Sequence, residues 1–253
     1  MSADRPSVDV VILSWNDGEL LDVALGSVLE STEIGVNVVV VDNGSDPPVS
    51  TGASSRVRVV RNDENTGVAK ARNQGARLGG APVVCFLDSD ARFAPGSLAR
   101  LVEVLIADPS IGLAAPVFED QPAEASAGKA PSLWRKALRA TNLTTSYRPV
   151  RKVPGEFWDV DFAIGACQVF RRTAFETIGG LDETFFYGPE DVDFCLRLRK
   201  AGWRVVQVAR APVHHPPRRR YRGLLTRRGL HHGVAVARHL WRHRSRAPNR
   251  RDR

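Results

Sequence analysis

The sequence predicts an α/β fold in which a mainly parallel central sheet is flanked by helices. Over the first 118 residues, short apolar runs alternate with segments of helical periodicity, which is the pattern of successive βαβ units. Several apolar runs end in polar loops, and in such sheets ligands bind where the strands end. The length of 253 residues and the hydrophobic content of 43% suit one large domain or a domain with an extension.

Periodicity gives the expected order of the elements. The expected strands of the first half are Val8–Leu13, Val36–Val41, Val57–Arg61, Val83–Leu87 and Ile111–Phe118, and the expected helices are Glu19–Ser31, Val68–Leu78 and Pro95–Ala107. Residues 119–156 break the pattern and are predicted to be a mobile segment with a short helix at 132–140. Residues 159–171 then predict one strand, in whose middle a Gly165-Ala166 pair could admit substrate or form a bulge. A turn of helix at 172–178, a helix from 190 to 201 and a last strand, Trp203–Ala209, complete the pattern.

An apolar strand that ends in two carboxylates, VVCFLDSD, is the feature around which the other motifs are arranged. A carboxylate without a positive partner is costly to bury. Asp88 and Asp90, separated by Ser89, can point at one divalent cation from a strand end. A solvated turn explains the tripeptide alone at least as well. The polar loops after the neighbouring strands favour the cation site.

Polar side chains also follow the first two strands. Ser14 and Asn16 lie in the loop SWNDGE, and Asp42 ends the second strand. A carboxylate at a strand end can accept a hydrogen bond from a base imide or a ribose hydroxyl, and Lys70 and Arg72 near a helix start can meet phosphate. Turn chemistry in DNGSD would also explain Asp42. A solvated helix face would also explain the two basic residues.

Charge is distributed unevenly along the chain. Residues 210–253 hold 14 arginines and one acid, Asp252, which is a charge of +13. The remaining residues hold 22 basic and 27 acidic side chains, which is a charge of −5. Because apolar residues alternate with the arginines, residues 216–253 are predicted to be a basic extension that docks on an anionic membrane face. Nonspecific nucleic-acid binding or a merely solvated tail would also fit this composition.

Composition also indicates a compartment. No apolar run approaches the roughly 18 residues of a membrane span, and the first residues have no signal-peptide core. The three widely spaced cysteines, Cys85, Cys167 and Cys195, fit neither a disulfide framework nor a zinc site, so buried free thiols are expected. We therefore expect a cytoplasmic protein, with the option of peripheral contact at the inner face of the cell membrane.

The run GGLDETFFYGPEDVDFCLRLRKAGWRV, residues 179–205, resembles the acceptor-side motif of inverting family 2 glycosyltransferases of the GT-A type. Similar runs occur in the bacterial rhamnosyltransferase-like branch. The segments VVILSWN, VVVDNGS, NDENTGVAKARNQG and DSD occur in the order that this family has them. The resemblance extends from about Val8 to His215, and it implies a GT-A fold with a Rossmann-like, mainly parallel sheet.

The resemblance also implies roles for individual residues. Asp42 would hold the nucleotide base, and Asp191, with Glu190 beside it, would be the catalytic base. The other expected nucleotide-sugar contacts are Ser14, Asn16, Asn65, Lys70, Arg72, Asn73, Asp88 and Ser89. Asp88 and Asp90 would hold Mg²⁺ or Mn²⁺, and His215 or its neighbour His214 would be a further ligand. The helix dipole at the start of the 190–201 helix is expected to favour the ionised base.

These residues predict a metal-dependent inverting glycosyltransferase. It would move a sugar from a nucleotide-diphosphate donor to a hydroxyl of a glycan, a lipid-linked acceptor or a small molecule, for instance in cell-surface glycan synthesis. Residues 1–215 would form the catalytic domain, with a donor half at 1–118 and an acceptor half at 119–215. The alternatives are a non-catalytic nucleotide-sugar or nucleic-acid-binding protein and a nucleotidyltransferase. A motif for specific nucleic-acid recognition is missing from the sequence, and SWNDGE is a poor nucleotidyltransferase loop.

Overall fold

Strands and helices alternate along the chain in the computed structural model, which describes residues 5–52, 54–119, 126–128 and 156–216. The strands are β1 Ser7–Ser14, β2 Gly35–Asp42, β3 Val57–Arg61, β4 Val83–Asp88, β5 Arg92–Phe93, β6 Ile111–Phe118, β7 Ala127–Gly128, β8 Phe157–Asp159, β9 Phe162–Ala163, β10 Cys167–Arg171 and β11 Arg204–His214. The helices are α1 Gly18–Leu29, α2 Val68–Arg77, α3 Ser97–Ala107, α4 Arg172–Thr177 and α5 Glu190–Lys200.

Nine of these strands form one sheet, in the order β3-β2-β1-β4-β10-β6-β11-β5, with β8 on the side of β11. β1 runs parallel to β2 and β4, and β6 runs parallel to β11. β10 is antiparallel to both of its neighbours. The register places Ser14 beside Asp42 and Leu13 beside Asp88. The polar ends of β1, β2 and β4 therefore meet at one edge of the sheet, as the sequence predicted.

The core lies in two layers on opposite faces of the sheet. Successive side chains of a strand point to opposite faces, so Val10 and Ile12 belong to the apolar layer that contains α1 and α3, whereas Val11 belongs to the layer that contains α2 and α5. Both faces are covered, which explains why the central strands are continuous apolar runs. The mainly parallel α/β sheet flanked by helices is confirmed.

Two predicted strands are wrong in their bounds. Residues 159–171 do not form one strand: β8, β9 and β10 are separate, and Gly165 and Ala166 lie in a turn. The last strand does not end at Ala209, because it passes an irregularity between Val208 and Val213 and continues to His214. A proline inside a strand is tolerated at such an irregularity. The short helix expected at 132–140 and the extension 216–253, apart from residue 216, lie outside the described residues.

All three cysteines are buried free thiols, as expected. Within the described ranges, none of the helices combines the length and the hydropathy required to span a bilayer.

Candidate active site

Asp88, Asp90 and His215 converge at the sheet edge. Each offers one ligand atom, and these atoms all lie within 4.8 Å of one another. His215 Nε2 lies 3.6 Å from Asp90 Oδ1. The cluster combines two carboxylates with one imidazole, which is a donor set for a divalent cation of the first transition row such as Mn²⁺.

Three strands bring this cluster together. Asp88 is the last residue of β4, and the turn after it leads directly into β5. β11 pairs with β5 through Val213 and His214, so its continuation carries His215 back to the DSD turn. The His215 ring also contacts the buried Phe118 ring, with centroids 5.0 Å apart. The unpredicted length of β11 is therefore what delivers the third member of the cluster.

Arg72 is the buried cation of the site. Its Nη2 donates to Asp88 Oδ1 at 2.6 Å and to the Gly165 carbonyl at 2.7 Å. Its Nη1 lies 3.8 Å from Glu190 Oε1. Burial alone would lower the pKa of the guanidinium, but the charges of the surrounding carboxylates raise it. The structure places Arg72 between two groups of carboxylates, and its predicted contact with phosphate stays a prediction.

Glu190 and Asp191 begin α5 beside Arg72. Asp191 Oδ2 accepts a hydrogen bond from the Gly165 amide at 3.0 Å, and Oδ1 accepts one from the Val192 amide at 2.7 Å. Glu190 is buried, and its Oε2 has no hydrogen-bond partner among the described residues. The next acid, Asp193, faces elsewhere and pairs with Arg197 at 2.7 Å.

Burial dominates the acid–base properties of this pair. Burial, and then the charge of Asp191, raise the pKa of Glu190 to about 7, although Arg72 opposes the shift. The pKa of Asp191 is also raised by burial, against the hydrogen bonds from Val192 and Gly165. The dipole of α5 was expected to favour the ionised form. Desolvation outweighs it, and the pair is therefore less acidic than ordinary carboxyls.

Asp42, the last residue of β2, is buried beside the loop that follows the strand. Its carboxylate accepts hydrogen bonds from the Ser45 and Val49 amides and forms an ion pair with Arg61. Burial would raise the pKa of Asp42, but these hydrogen bonds hold it below its usual value. The role of Asp42 toward a nucleotide base stays a prediction. The sequence did not suggest Arg61 as a partner of Asp42, and the Arg61 side chain is more exposed than that of Asp42.

The remaining predicted nucleotide contacts occupy different surroundings. Ser14 is buried, with no hydrogen-bond partner for its hydroxyl among the described residues. Ser89 donates to Asp17 at 3.2 Å, and Asn65 accepts from Asn43 at 3.0 Å. The backbone amide of Asn16 donates to the Ser45 hydroxyl, and Lys70 is exposed. The side chain of the buried Asn73 hydrogen-bonds both the carbonyl and the amide of Leu181. Asn73 thereby joins α2 to the loop before α5.

Two features near the acid pair go beyond the sequence prediction. The small Gly165-Ala166 pair was noted as a place of close approach, but not the hydrogen bonds by which Gly165 links Arg72 to Asp191. Phe186 and Tyr187 expose 37% and 54% of their surface just before Glu190, although they are large aromatic residues. The doubled aromatic in FFYGPED was the available signal. Phe185, next to them, is fully buried and anchors the loop.

The family model described as glycosyl transferase family 2 matches residues 9–179, which is more than half of the chain. The chain belongs to glycosyl transferase family 2. A second model, described as the N-terminal domain of galactosyltransferase, matches residues 159–218 of this glycosyltransferase. The two matches overlap over residues 159–179, which include the turn at Gly165.

Known proteins agree with the family. This glycosyltransferase is 34% identical over 230 residues to an N-acetylglucosaminyl-diphospho-decaprenol L-rhamnosyltransferase of Mycobacterium tuberculosis, with 81% of this chain and 75% of the relative covered. Its fold is similar to a mannosyltransferase of Pyrobaculum calidifontis in complex with GDP-Man and Mn²⁺, with a TM-score of 0.66, 21% identity, and 96% and 66% of the two chains covered.

A second solved structure, GalNAc-T7 with UDP, GalNAc and Mn²⁺, matches with a TM-score of 0.65 and 20% identity, and covers 86% of this chain and 45% of the other. These two likenesses show the GT-A fold. This glycosyltransferase spans less than two thirds of the length of either of the two solved chains.

Proposed function

We propose that this enzyme is a metal-dependent, inverting glycosyltransferase that uses a nucleotide-diphosphate sugar. The observation that carries the proposal is the Asp88–Asp90–His215 cluster beside the Glu190–Asp191 pair, with Arg72 between them. The cluster suits a divalent cation, and its imidazole favours Mn²⁺ over Mg²⁺, which prefers oxygen ligands. Such an ion, when bound, would neutralise charge on the departing nucleoside diphosphate.

Asp191 is the base in this proposal. An acceptor hydroxyl oxygen attacks the anomeric carbon, the bond from that carbon to the diphosphate oxygen breaks, and the Asp191 carboxylate takes the hydroxyl proton. The attack occurs on the face opposite the leaving group, so the anomeric configuration inverts. The raised pKa of Asp191 suits this role, because a stronger base accepts a proton more readily.

The donor and acceptor are proposed from the named relative. The Mycobacterium tuberculosis protein is an L-rhamnosyltransferase whose name contains N-acetylglucosaminyl-diphospho-decaprenol. We therefore propose nucleotide-activated L-rhamnose as the first donor to test and a polyprenyl-diphosphate-linked sugar as the first acceptor. The exposed aromatic side chains of Phe186 and Tyr187 support an acceptor with an apolar face, because sugar rings and isoprenoids both pack on aromatic surfaces.

The decisive experiment is the release of nucleoside diphosphate from nucleotide sugars, with MnCl₂, with MgCl₂ and with EDTA. We expect release that requires acceptor and metal, and a product of inverted anomeric configuration by NMR. Nucleotide binding without turnover on any donor would favour a non-catalytic binding protein, and release that is unchanged in EDTA would refute the metal dependence.

The basic extension 216–253 is proposed to hold the enzyme on an anionic membrane, where a lipid-linked acceptor would lie. The support is its composition and the lipid-linked name of the relative, since the extension beyond residue 216 lies outside the described residues. Sedimentation with anionic vesicles tests it. Binding should fall as salt is added, and it should disappear when the chain is truncated after His215. Protein that stays in the supernatant at low salt would refute the docking.

A further inference from the structure

We propose that Arg72 and the Gly165 peptide form a positioning unit that fixes the base Asp191 relative to the donor-side carboxylate Asp88. The inference rests on the proposed function, because it assigns Asp88 to the donor side and Asp191 to the acceptor side of one reaction. Its members come from α2, β4, the turn before β10 and α5, so the unit joins elements that are distant in sequence. Neither Arg72 nor Gly165 needs to touch the substrate.

Arg72 is held from several directions. Its guanidinium is buried, donates at 2.6 Å to Asp88 and at 2.7 Å to the Gly165 carbonyl, and lies 5.5 Å from the centre of the Phe86 ring. Both hydrogen bonds are short, and the first is a bond between charged groups, which is the stronger kind. A planar, multiply bonded guanidinium has little freedom to move, so Asp88 and the Gly165 peptide keep a fixed separation.

The Gly165 peptide continues the connection to the base. Its amide donates to Asp191 Oδ2 at 3.0 Å while its carbonyl accepts from Arg72. Hydrogen bonds in a chain polarise one another, so the two bonds strengthen together in a buried site. With the Val192 amide on Oδ1, both oxygens of Asp191 are held, and the orientation of the base is set.

Glycine is required at position 165 because two side chains of the unit close around it. A Cβ there would lie 2.5 Å from Arg72 Nη1 and 3.3 Å from Asp191 Cβ. The first distance is far below normal contact, so Arg72 or the turn would have to move by about 1 Å, a shift that can cost about 10²-fold in rate when it misplaces a catalytic group. The backbone of Gly165 is not in the left-handed region, so crowding is the only cost of alanine.

The first test compares Gly165→Ala with Gly80→Ala. A Cβ at Gly80 meets nothing within 4 Å, which makes it a matched control. We expect Gly165→Ala to lower kcat about 10²-fold, with the Kd for UDP plus MnCl₂ and the Tm close to wild type, and Gly80→Ala to change none of these. A kcat for Gly165→Ala equal to that of Gly80→Ala would overturn the proposal, as would a loss of kcat that only follows a loss of Tm.

The second test needs neither substrate nor metal. In protein labelled with [¹⁵N]glycine, the Gly165 amide signal is assigned by its loss in Gly165→Ala. Asp88→Asn should shift this signal through Arg72, and the shift should shrink in an Arg72→Lys background. Arg77→Lys is the control, because Arg77 lies on the same helix in an exposed pair with Glu183. A Gly165 signal that Asp88→Asn moves no more than that of the distant Gly179 would overturn the proposal, even if the enzyme proves active.

Discussion

The two acidic pairs of the site are surrounded very differently. Asp88 and Asp90 lie at a strand end on the sheet edge, and their side chains are 36% and 13% exposed. Glu190 and Asp191 begin a helix, and the Glu190 side chain is only 8% exposed. Arg72 contacts one member of each pair. The comparison predicts two purposes for acidic residues in one site: the wetter pair would meet a cation, and the drier pair would exchange a proton.

The largest effect that this comparison predicts is on the drier pair. Asp191→Asn keeps the shape of the side chain but cannot take the proton, so kcat should fall about 10²- to 10⁴-fold, the usual loss for a general base. Nucleotide affinity should be almost unchanged. Initial rates of nucleoside diphosphate release and calorimetry with UDP and MnCl₂ measure the two quantities.

Asp193→Asn is the control for Asp191. Asp193 lies on the same turn of α5 but pairs with Arg197 inside the protein. We expect Asp193→Asn to lower the Tm while the folded enzyme keeps its kcat. If the two variants lose kcat equally, Asp191 is a structural residue and the contrast between the pairs is wrong.

The second effect concerns the wetter pair. Asp90→Asn removes one carboxylate from the candidate ligands and should weaken Mn²⁺-dependent UDP binding by about 10- to 100-fold or more, since even the partners of metal ligands contribute that much. In EDTA the variant and the wild type should bind UDP equally. Metal-dependent affinity that survives in Asp90→Asn would show that the cation is not held by the DSD turn.

The third effect separates the pairs by pH. The folded-state pKa of Glu190 is raised from 4.5 to about 7 by burial. The folded protein therefore binds more protons than the unfolded chain across this interval, and the Glu190 contribution to stability is lost as the pH rises. Glu190→Gln removes the ionisation, so its stability relative to wild type should rise by on the order of 2 kcal/mol between about pH 5 and about pH 6.5.

Urea unfolding of wild type and Glu190→Gln at the two pH values gives the free energies of unfolding. Subtracting the wild-type value from the variant value at each pH removes the effect of the titrating groups that both proteins share. A constant difference would mean that Glu190 is ionised at both pH values. Burial would then not keep the Glu190 carboxyl neutral, and the contrast between the two pairs would be lost.

The sequence predicted most of the fold and the polar strand ends that meet at one edge of the sheet. The fold of residues 1–118 follows from local rules, because each parallel strand is a buried apolar run that ends in a polar turn, as at Asp42 and Asp88. The residues at these ends were found for that reason, and the register of β1 with its neighbours places them together.

The described part of residues 119–215 could not be predicted as well, because its geometry depends on distant contacts. The Gly165 peptide hydrogen-bonds both Arg72 and Asp191, and a local sequence pattern does not predict contacts between residues so far apart in the chain. The path of β11 past Pro212 depends on pairing with β5, which has only two residues. The raised pKa of Glu190 likewise follows from burial by the complete fold, whereas the local sequence suggested only the helix dipole.

The smallest effect tests whether the drier pair faces the acceptor. Tyr187, three residues before Glu190, is 54% exposed, and the neighbouring Phe186 carbonyl is fixed by a 2.8 Å hydrogen bond from the Val68 amide. Tyr187→Ala should remove about 0.5–1.5 kcal/mol of aromatic contact and raise the KM for the acceptor roughly 2- to 10-fold. UDP affinity should not change, because the proposed donor site is on the side of the wetter pair. Ile106→Ala, an equally exposed apolar residue on α3, is the control and should leave the acceptor KM unchanged. If Tyr187→Ala weakens UDP binding and leaves the acceptor KM alone, the assignment of the two pairs to opposite sides of the reaction is wrong.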